Sequence, residues 1–521
     1  MESKTLPGMP NIPNDWYWAP LSDLCKKVSV GHVGETSSVF CGPEGVTFLR
    51  SQNVRPGRLD LNDVKYVTKA FHEKSKKSQL KSGDILVVRV GQNRGDCAVV
   101  PDNVGEINCA NIVFAQPKET RYSDYLGYFL NSSFGRASLL AVSTGSAQGV
   151  LNTKSVAKVL VPVPPIDLAK SIGYRLKLID NKIELNQKTN QTLEQMAQAL
   201  FKSWFVDFDP VFDNLLASVD FKLENLETSL PDELKQKAQR RLTALNSLEN
   251  AAQYKASLSA LAHELQALSQ TKEATKETTQ ATVSAAETPV KANLNGNPKI
   301  LVQHANTHAH FPNEFEHNEQ LGWIPKGWTA SNVGAEFDVV MGQSPPGSSY
   351  NEEKKGIPFF QGKTDYGFRF PTNRVYCTSP KRLARKNDTL VSVRAPVGTI
   401  NLAAEDCAIG RGLAAVRHKS GSISFTYYAM NDLAKHFAVF EGEGTVFGSI
   451  NQKDFNAITQ LSYPLELILY FSSICSNWDN KIEQVSHQTI VLTKIRDTLL
   501  PKLISGELQI PDVATDEEVV D

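Results

Sequence analysis

Long apolar runs are missing from this chain of 521 residues. The longest run, residues 465–471, already contains Glu466 and is far shorter than the roughly 20 residues that a membrane-spanning helix needs. The first ten residues, MESKTLPGMP, lack the apolar core of a secretory signal. We therefore expect a cytoplasmic protein with no membrane partner.

Cysteine is scarce, and its pattern does not suit cross-links or metal binding. The number of cysteines is odd, and no pair has Cys-x-x-Cys spacing, so the sequence predicts neither a disulfide framework nor a zinc ribbon. We expect buried thiols instead. The seven cysteines are Cys25, Cys41, Cys97, Cys109, Cys377, Cys407 and Cys475.

Net charge is also nearly absent, at −1, but the charge is unevenly distributed. Residues 1–160 hold 19 Lys and Arg against 14 Asp and Glu, and residues 323–462 hold 16 against 12. The remainder holds 20 against 30. Two mildly basic blocks suit a protein that meets a polyanion at two places, although chance fluctuation in a neutral protein is the alternative.

The sequence does contain a tandem repeat. Asp180-Asn181-Lys182-Ile183-Glu184 recurs unchanged 299 residues later as Asp479-Asn480-Lys481-Ile482-Glu483. At the same offset GSAQGVLNTKSV (145–156) falls on GTVFGSINQKDF (444–455). Further upstream the offset is about 311, where GVTFLR (45–50) matches GIPFFQ (356–361). Each half is therefore a variable block of about 150 residues followed by a helix.

The two blocks have the composition of sheets with short helices. GDILVVRV (83–90) and ANIVFAQP (110–117) in the first block, and DTLVSVRAP (388–396) in the second, predict strands between Gly, Pro and Asn turns. Residues 122–131 and 425–437 predict helices packed on them. The sequence thus predicts the α+β class.

The segment after each block has the 4-3-4-3 apolar spacing of a coiled-coil helix. From position 172 to position 204 it spans about 50 Å at 1.5 Å per residue. We expect the two helices to pack on each other as an antiparallel pair, related by a pseudo-twofold axis. The alternative is that each lies on its own domain. The predicted pairing and docking residues are Ile172, Leu176, Ile179, Asp180, Lys182, Ile183, Leu193, Leu200, Trp204, Trp478, Asp479, Lys481, Ile482, Leu492 and Leu499.

Between the halves, residues 231–268 predict a further helix. Residues 269–298 have hardly any large apolar side chain and predict a flexible linker.

Motifs for catalysis, cofactors and metals are incomplete. GIPFFQGKT (356–364) has one residue too many between its glycines for a phosphate-binding loop. QSPPG (343–347) has Gly347 where amino-methyltransferases place an aromatic residue. His304, His308 and His310 have a spacing that suits a metal, but no fourth ligand is evident, so solvated histidines are expected. We predict a non-catalytic chain with no metal or cofactor of its own.

Candidate DNA contacts are scattered over both blocks. Lysines mostly hold phosphates, whereas Arg, Gln and Asn make paired hydrogen bonds to guanine and adenine edges. A solvated charge or a structural ion pair is the alternative for each residue. The candidates are Lys74, Lys76, Lys77, Lys81, Arg89, Gln92, Asn93, Arg94, Gln343, Lys363, Arg369, Arg374, Lys381, Arg382, Arg394 and Arg411.

The order of block, helix, block and helix resembles the specificity subunit of type I restriction-modification enzymes. The resemblance covers nearly the whole chain. LFKSWFVDFDPV (200–211) and the twin DNKIE segments are its specific markers, with LGWIPKGW (321–328) and LLPKLISGEL (499–508). The domains it implies are 1–162 and 321–463 for target recognition, 163–212 and 464–510 for the conserved helices, 213–320 for a long connection, and 511–521 for an acidic tail.

The resemblance also implies a function. Such a subunit binds an asymmetric two-part site in double-stranded DNA, one part per recognition domain, and recruits two modification subunits that methylate adenine. S-adenosylmethionine, ATP and Mg would belong to the modification and restriction subunits of the full complex. A fused methyltransferase or nuclease and a coiled-coil scaffold without DNA readout are the alternatives.

Overall fold

The computed structural model describes residues 11–142, 149–226, 230–262, 307–437 and 448–510. The chain divides into two compact units. Unit 1 comprises the residues up to 189 together with those from 484 onward, and unit 2 comprises residues 190–483. Each unit contains one sheet-rich module, which we name the first head (residues 16–163) and the second head (residues 328–462).

The first head is built on two sheets whose central strands are apolar on both faces. All four residues of Ile85–Val88 are buried, as expected for a strand covered on both sides. Within the five-stranded sheet, Val46–Leu49 and Ile107–Cys109 are parallel neighbours. The four-stranded sheet has the order Cys97–Val99, Ile85–Val88, Ile112–Pro117, Cys25–Val30; the five-stranded sheet has the order Phe40–Cys41, Lys65–Val67, Val46–Leu49, Ile107–Cys109, Gln79–Leu80; Tyr17–Pro20 pairs with Leu160–Val163, and Val54–Arg55 pairs with Arg58–Leu59.

The second head repeats the strand order of the four-stranded and five-stranded sheets and of the terminal strand pair, while the ribbon of Val54–Arg55 and Arg58–Leu59 corresponds to a single bridge between Tyr366 and Pro371. Its one parallel pair among the described strands, Ile357–Phe360 with Cys407–Ile409, occupies the same place in the five-stranded sheet. The four-stranded sheet has the order Ile400–Leu402, Thr389–Ser392, Leu413–His418, Phe337–Met341; the five-stranded sheet has the order Tyr350–Asn351, Tyr376–Cys377, Ile357–Phe360, Cys407–Ile409, Leu383–Ala384; Thr329–Asn332 pairs with Thr459–Ser462.

The heads differ mainly by insertions between equivalent strands. The offset falls from 311 at Val46–Leu49 to 304 at Gln79–Leu80 because helix Lys69–Lys74 is inserted in the first head. The second head has no helix in the corresponding residues 378–382, all of which the structure describes. The variable lengths therefore lie outside the shared sheets.

Short helices close each head against its sheets. Asn152 and Asn451, matched in the sequence repeat, are N-caps of equivalent helices, and their side chains accept hydrogen bonds from the backbone of Ser155 (2.8 Å) and Asp454 (3.0 Å). This cap explains why the asparagine recurs. The helices are Leu21–Leu24, Ser123–Asn131, Ser133–Ala141 and Thr153–Ala157 in the first head, and Val333–Glu336, Ile423–Phe437 and Gln452–Ala457 in the second.

Two long helices follow the heads, as the apolar spacing predicts. The first long helix is Ile166–Phe205 and the second is Leu465–Ser505. Each begins directly after a proline, at Pro165 or Pro464, where a missing backbone N–H costs little. The α+β class and the tandem repeat predicted from the sequence are confirmed.

The connection between the repeats is a helical module in its described part. It contains helices Asp209–Ala217 and Asp232–Asn246, a helical segment at 251–262 and a hairpin of Phe315–Asn318 with Gly322–Pro325. The single helix predicted for 231–268 is therefore wrong at residues 247–250, which form a turn, and residues 263–268 lie outside the described residues. The predicted linker and acidic tail also lie outside them.

A buried charge cluster holds this module together. Asp213 accepts two hydrogen bonds of 2.7 Å from Arg241, one of 3.3 Å from Tyr254 and one of 3.1 Å from His308. Burial raises the pKa of Asp213, but the hydrogen bonds from Arg241 and His308 outweigh it, so the pKa lies below its ordinary value. The solvated state predicted for the histidines is wrong for His308, which is 2% exposed. His304 lies outside the described residues.

The cysteines form no cross-links. All seven cysteines are free thiols, and six are buried while Cys41 is half-buried. Burial raises the pKa of Cys25 to about 12. In the described segments, no group of three or more metal-ligating side chains occurs. A search of the same segments for a helix with the length and hydropathy to cross a bilayer found none.

The Asp213 cluster generates a stability prediction. Asp213→Asn removes the paired hydrogen bonds that Arg241 makes to this carboxylate and leaves only Asp209, 3.3 Å away, as its counter-charge, so the local stability of helix Asp232–Asn246 should fall by ~2 kcal/mol, measured by amide hydrogen exchange. Because the folded pKa of Asp213 is below the unfolded value of 3.8, this contribution is present above pH ~4 and is lost as pH falls through the folded pKa.

Asp232→Asn, whose ion pair with Lys235 is exposed, is the matched control and should change exchange little. Equal exchange rates in the two variants would contradict a stabilising role for the cluster.

Candidate nucleic-acid interface and helix pair

The inserted segment of the first head carries free lysines. Thr68 caps helix Lys69–Lys74 by accepting a hydrogen bond from the backbone of Phe71 (3.3 Å), and Lys27 donates to the carbonyl of Lys77 (3.0 Å). The backbone is therefore held while the side chains project outward. Four predicted contacts are exposed and form no ion pair with a described carboxylate: Lys74, Lys76, Lys77 and Lys81.

The turn after strand Ile85–Val88 is less open than the sequence suggests. Gln92 is exposed and Asn93 is half-buried. Arg89 and Arg94 are half-buried, and the guanidinium group of Arg94 donates to the carbonyl of Gly149. Among the predicted base contacts of this turn, Gln92 is the side chain most available to a ligand.

In the second head three predicted residues converge at the end of one strand. The backbone N–H of Gln343 donates to the carbonyl of Ile409 (3.0 Å), and the N–H of Ile409 donates to the carbonyl of Arg382 (3.0 Å). The N–H of Arg411 donates to the hydroxyl of Ser344 (3.4 Å). The side chains of Gln343, Arg382 and Arg411 are exposed, so this edge presents one amide and two guanidinium groups.

The repeat locates counterparts that sequence reasoning missed. His32 donates its backbone N–H to the carbonyl of Cys109 (2.7 Å), the equivalent of the bond from Gln343 to Ile409. Asn111 occupies the place of Arg411, at an offset of 300 residues. Aligning the two halves through their strands, rather than through basic residues, would have found both positions.

The remaining predicted contacts of the second head differ in availability. Lys363, Lys381 and Arg394 are exposed. Arg374 is exposed but forms ion pairs with Asp365 (3.0 Å) and Glu352 (3.6 Å).

The prediction that Arg369 contacts DNA is wrong. Its side chain is 1% exposed and donates to Glu194 (2.7 Å) and to Asp479 (2.7 Å), both on the long helices. Burial raises the pKa of Glu194 above its ordinary value, although the charge of Arg369 opposes the shift. A guanidinium group enclosed by two carboxylates cannot also bind a phosphate or a base.

In unit 1 the long helices run antiparallel and share a seam. Arg496 of the second helix donates to Asp180 of the first (2.8 Å), and Asn186 donates to Gln488 (3.0 Å). As the residue number rises along one helix, the number of its partner falls. Arg496, a charged residue in an otherwise largely apolar seam, is therefore satisfied by an ion pair across that seam.

In unit 2 the helix segments also run antiparallel, through aromatic contacts. The rings of Trp204 and Tyr470 stack with centroids 5.7 Å apart, and Phe201 meets Phe471 edge-on at 5.8 Å. Of the predicted pairing residues, Ile172, Leu176, Ile183, Trp204 and Ile482 are buried; Ile179, Asp180, Leu193, Leu200, Trp478, Asp479, Leu492 and Leu499 are half-buried; Lys182 and Lys481 are exposed.

The repeated pentapeptide attaches each head to the helices. Tyr128 of the first head donates to Asp180 (2.8 Å), and Tyr428 of the second head, 300 residues later, donates to Asp479 (3.2 Å). Ile183 and Ile482 are buried one turn further along. Asp and Ile are thus the structural residues of DNKIE, while its Lys is solvated in both copies.

An apolar stripe on the first long helix has no described partner side chain covering it. Tyr174, Leu178 and Leu185 are spaced four and seven residues apart, so they lie on one helix face, opposite the seam. Each is about half exposed or more. Such a face on a well-packed helix is typical of a protein interface.

Comparison with known proteins adds family information. Residues 13–195 match the model of the type I restriction modification DNA specificity domain. A Methanocaldococcus jannaschii protein with the provisional name type I restriction enzyme MjaX specificity subunit is 28% identical, covering 96% of this chain and 95% of its own. The type I restriction enzyme HindI specificity subunit of Haemophilus influenzae is 24% identical, covering 95% and 100%.

A solved structure shows the same fold. The type I restriction-modification system S subunit from M. genitalium superposes with a TM-score of 0.52 at 14% identity, covering 98% of this chain and 99% of that one.

Proposed function

We propose that the chain is a type I restriction-modification specificity subunit, because a family model matches residues 13–195 and relatives of this name cover 95% or more of the chain. Each head would read one part of a two-part DNA site, and the long helices would recruit two modification subunits. The observation that carries this proposal is the duplication of one strand order with polar side chains at equivalent strand ends, of which Asn111, Gln343 and Arg411 are exposed and His32 is half-buried. Two copies of one reading module suit two half-sites better than one continuous site.

The division of labour within each head follows from side-chain chemistry. Gln343 and Arg411 in the second head, with His32 and Asn111 at the equivalent places of the first, would contact base edges. The lysines of the inserted segment in the first head would hold phosphates, which fixes register without carrying sequence information. The heads would therefore differ in how much of their affinity is electrostatic.

Salt dependence tests the phosphate contacts. The triple variant Lys74→Gln, Lys76→Gln, Lys77→Gln, purified as the tagged complex, should bind duplex DNA more weakly and reduce the slope of log K against log salt by roughly 2–3, since each phosphate contact contributes about 0.9. Preference for the methylated site over a scrambled duplex should persist, because bases are read elsewhere.

The matched control is a triple variant of exposed lysines outside both heads, Lys222→Gln, Lys237→Gln, Lys326→Gln, which should keep the wild-type slope. If the complex shows no sequence-dependent binding at any salt concentration, the scaffold alternative is correct instead.

Partner recruitment is assigned to the apolar stripe of the first long helix. Tyr174, Leu178 and Leu185 offer a ridge that another helix or groove can cover, and Lys182 stands beside it. A modification subunit is the occupant that the family supplies, with one subunit per long helix. Adenine methylation with S-adenosylmethionine, and ATP- and Mg-dependent cleavage by restriction subunits, would then be performed by the partners.

Co-purification tests the docking face. The double variant Leu178→Asp, Leu185→Asp places two charges in the proposed interface, so native mass spectrometry of the tagged complex should show loss of one modification subunit. Leu248→Asp, an equally exposed leucine of the connection, should leave the stoichiometry unchanged. Full retention of both subunits by the double variant would contradict docking at this stripe.

A further inference from the structure

The buried arginine of unit 2 belongs to the second head, not to the helices. Arg369 lies in the loop formed by residues 361–374, between strands Ile357–Phe360 and Tyr376–Cys377. The backbone N–H of Leu402 donates to the carbonyl of Arg369 (2.8 Å), which fixes the loop to the sheet. The guanidinium group of Arg369 fixes the same loop to both long helices by donating to Glu194 and Asp479.

The surroundings of this guanidinium group are those of a specific site. Its central carbon lies 4.1 Å from the ring centre of Tyr427, and its Nη1 also donates to the hydroxyl of Tyr428 (3.0 Å). Two carboxylates and two aromatic rings therefore enclose one cation. The loop that holds it also carries Lys363 and Arg374, both predicted DNA contacts.

Unit 1 has an arginine and an aspartate at the equivalent positions of head and helix, but these two residues do not pair with each other. The offset of 311 that aligns the strands places Arg58 at the position of Arg369, and the offset of 299 aligns Asp180 with Asp479. Thr493 stands where unit 2 has Glu194, and Arg496 stands where unit 2 has Ala197. The aspartate of unit 1 is therefore neutralised by an arginine from the helix rather than from the head.

Arg58 is consequently left outside the helix pair. It is exposed, and its guanidinium group has no ion-pair partner among the residues that the structure describes. It lies after the Pro56-Gly57 turn of a two-stranded ribbon, where the positive φ of Gly57 (76°) suits glycine. A cleft of about 1160 Å³ lies in unit 1, lined by Arg55, Arg58, Asp180, Glu184 and Arg496 among others.

We propose that Arg369 is a positioning residue that holds the DNA-reading loop of the second head on the helix pair, and that Arg496 has replaced this contact in the first head. The loop at 361–374 is therefore held on the helices, whereas the ribbon at 54–59 is attached to its own head, through the N–H of Gly57 and the carbonyl of Cys97 (2.8 Å), and lacks this contact with the helices. The consequence for DNA reading rests on the proposed function; the difference in local rigidity does not.

Amide hydrogen exchange of the tagged complex without DNA tests the rigidity directly. Arg369→Ala should speed exchange in peptides covering 361–374 by roughly tenfold or more, since a buried contact is lost, and Arg369→Lys should restore part of the protection. Arg58→Ala, the repeat-equivalent arginine, is the matched control and should leave peptides covering 50–64 unchanged.

Because Arg369→Ala could speed exchange simply by misfolding, a second variant tests whether the same contact, rebuilt in unit 1, adds protection there. Thr493→Glu with Arg496→Ala rebuilds the unit 2 arrangement in unit 1, so it should slow exchange in peptides covering 54–59. Adding Arg58→Ala should abolish that protection. The proposal is overturned if Arg369→Ala exchanges like wild type, or if the rebuilt site protects the ribbon equally well without Arg58.

DNA discrimination supplies the second readout. With Arg369→Ala, discrimination against mismatches in one half-site should fall by roughly tenfold, while discrimination in the other half-site is kept. An equal loss in both half-sites would overturn the positioning role. If the complex binds no DNA specifically, the proposed function fails, and the exchange results still decide whether Arg369 holds the loop.

Discussion

The attachment of each head to the long helices through one repeated aspartate is the interaction on which the rest of each unit depends. Asp180 and Asp479 each accept a hydrogen bond from an equivalent tyrosine and a charge-assisted bond from an arginine. A half-buried carboxylate without such donors would be costly, so aspartate, tyrosine and arginine must be kept together. The buried isoleucine three residues later adds the apolar part of the joint.

This joint between head and helix, which contains the Asp and Ile of DNKIE, explains why the pentapeptide is identical in both halves although the blocks before it differ. The sheets keep their strand order, and the offset between halves falls from about 311 to 299 through changes in loops and one inserted helix. Side chains at strand ends can therefore change without altering the joint. In such a fold the residues available to contact a ligand, at the strand ends, are different from the residues that hold the head on the helices.

Features that depend on local residue spacing or on the tandem repeat could be predicted from the sequence. The α+β class, both long helices and their seam follow from apolar spacing, and the equivalence of the halves follows from DNKIE. Arg369 was misassigned because its partners, Glu194 and Asp479, are 175 and 110 residues away, and no local pattern shows that they meet. His308 was misassigned for the same reason, since its burial depends on Asp213.

The two heads share an architecture but differ in their charged contacts. In unit 2 an arginine of the head meets two carboxylates, whereas in unit 1 the arginine comes from the helix. The long helices differ at two equivalent positions, where unit 2 has Glu194 and Ala197 and unit 1 has Thr493 and Arg496. Small changes at a fixed joint can therefore change which element supplies the arginine without changing the fold.

We propose that the chain holds two copies of one reading module. Replacing residues 1–160 with the corresponding block of another specificity subunit, followed by methylome sequencing of cells that express the hybrid, tests it most directly. We predict that one half of the two-part methylated site changes and the other half is retained. A hybrid that changes both halves, or neither, would contradict the claim.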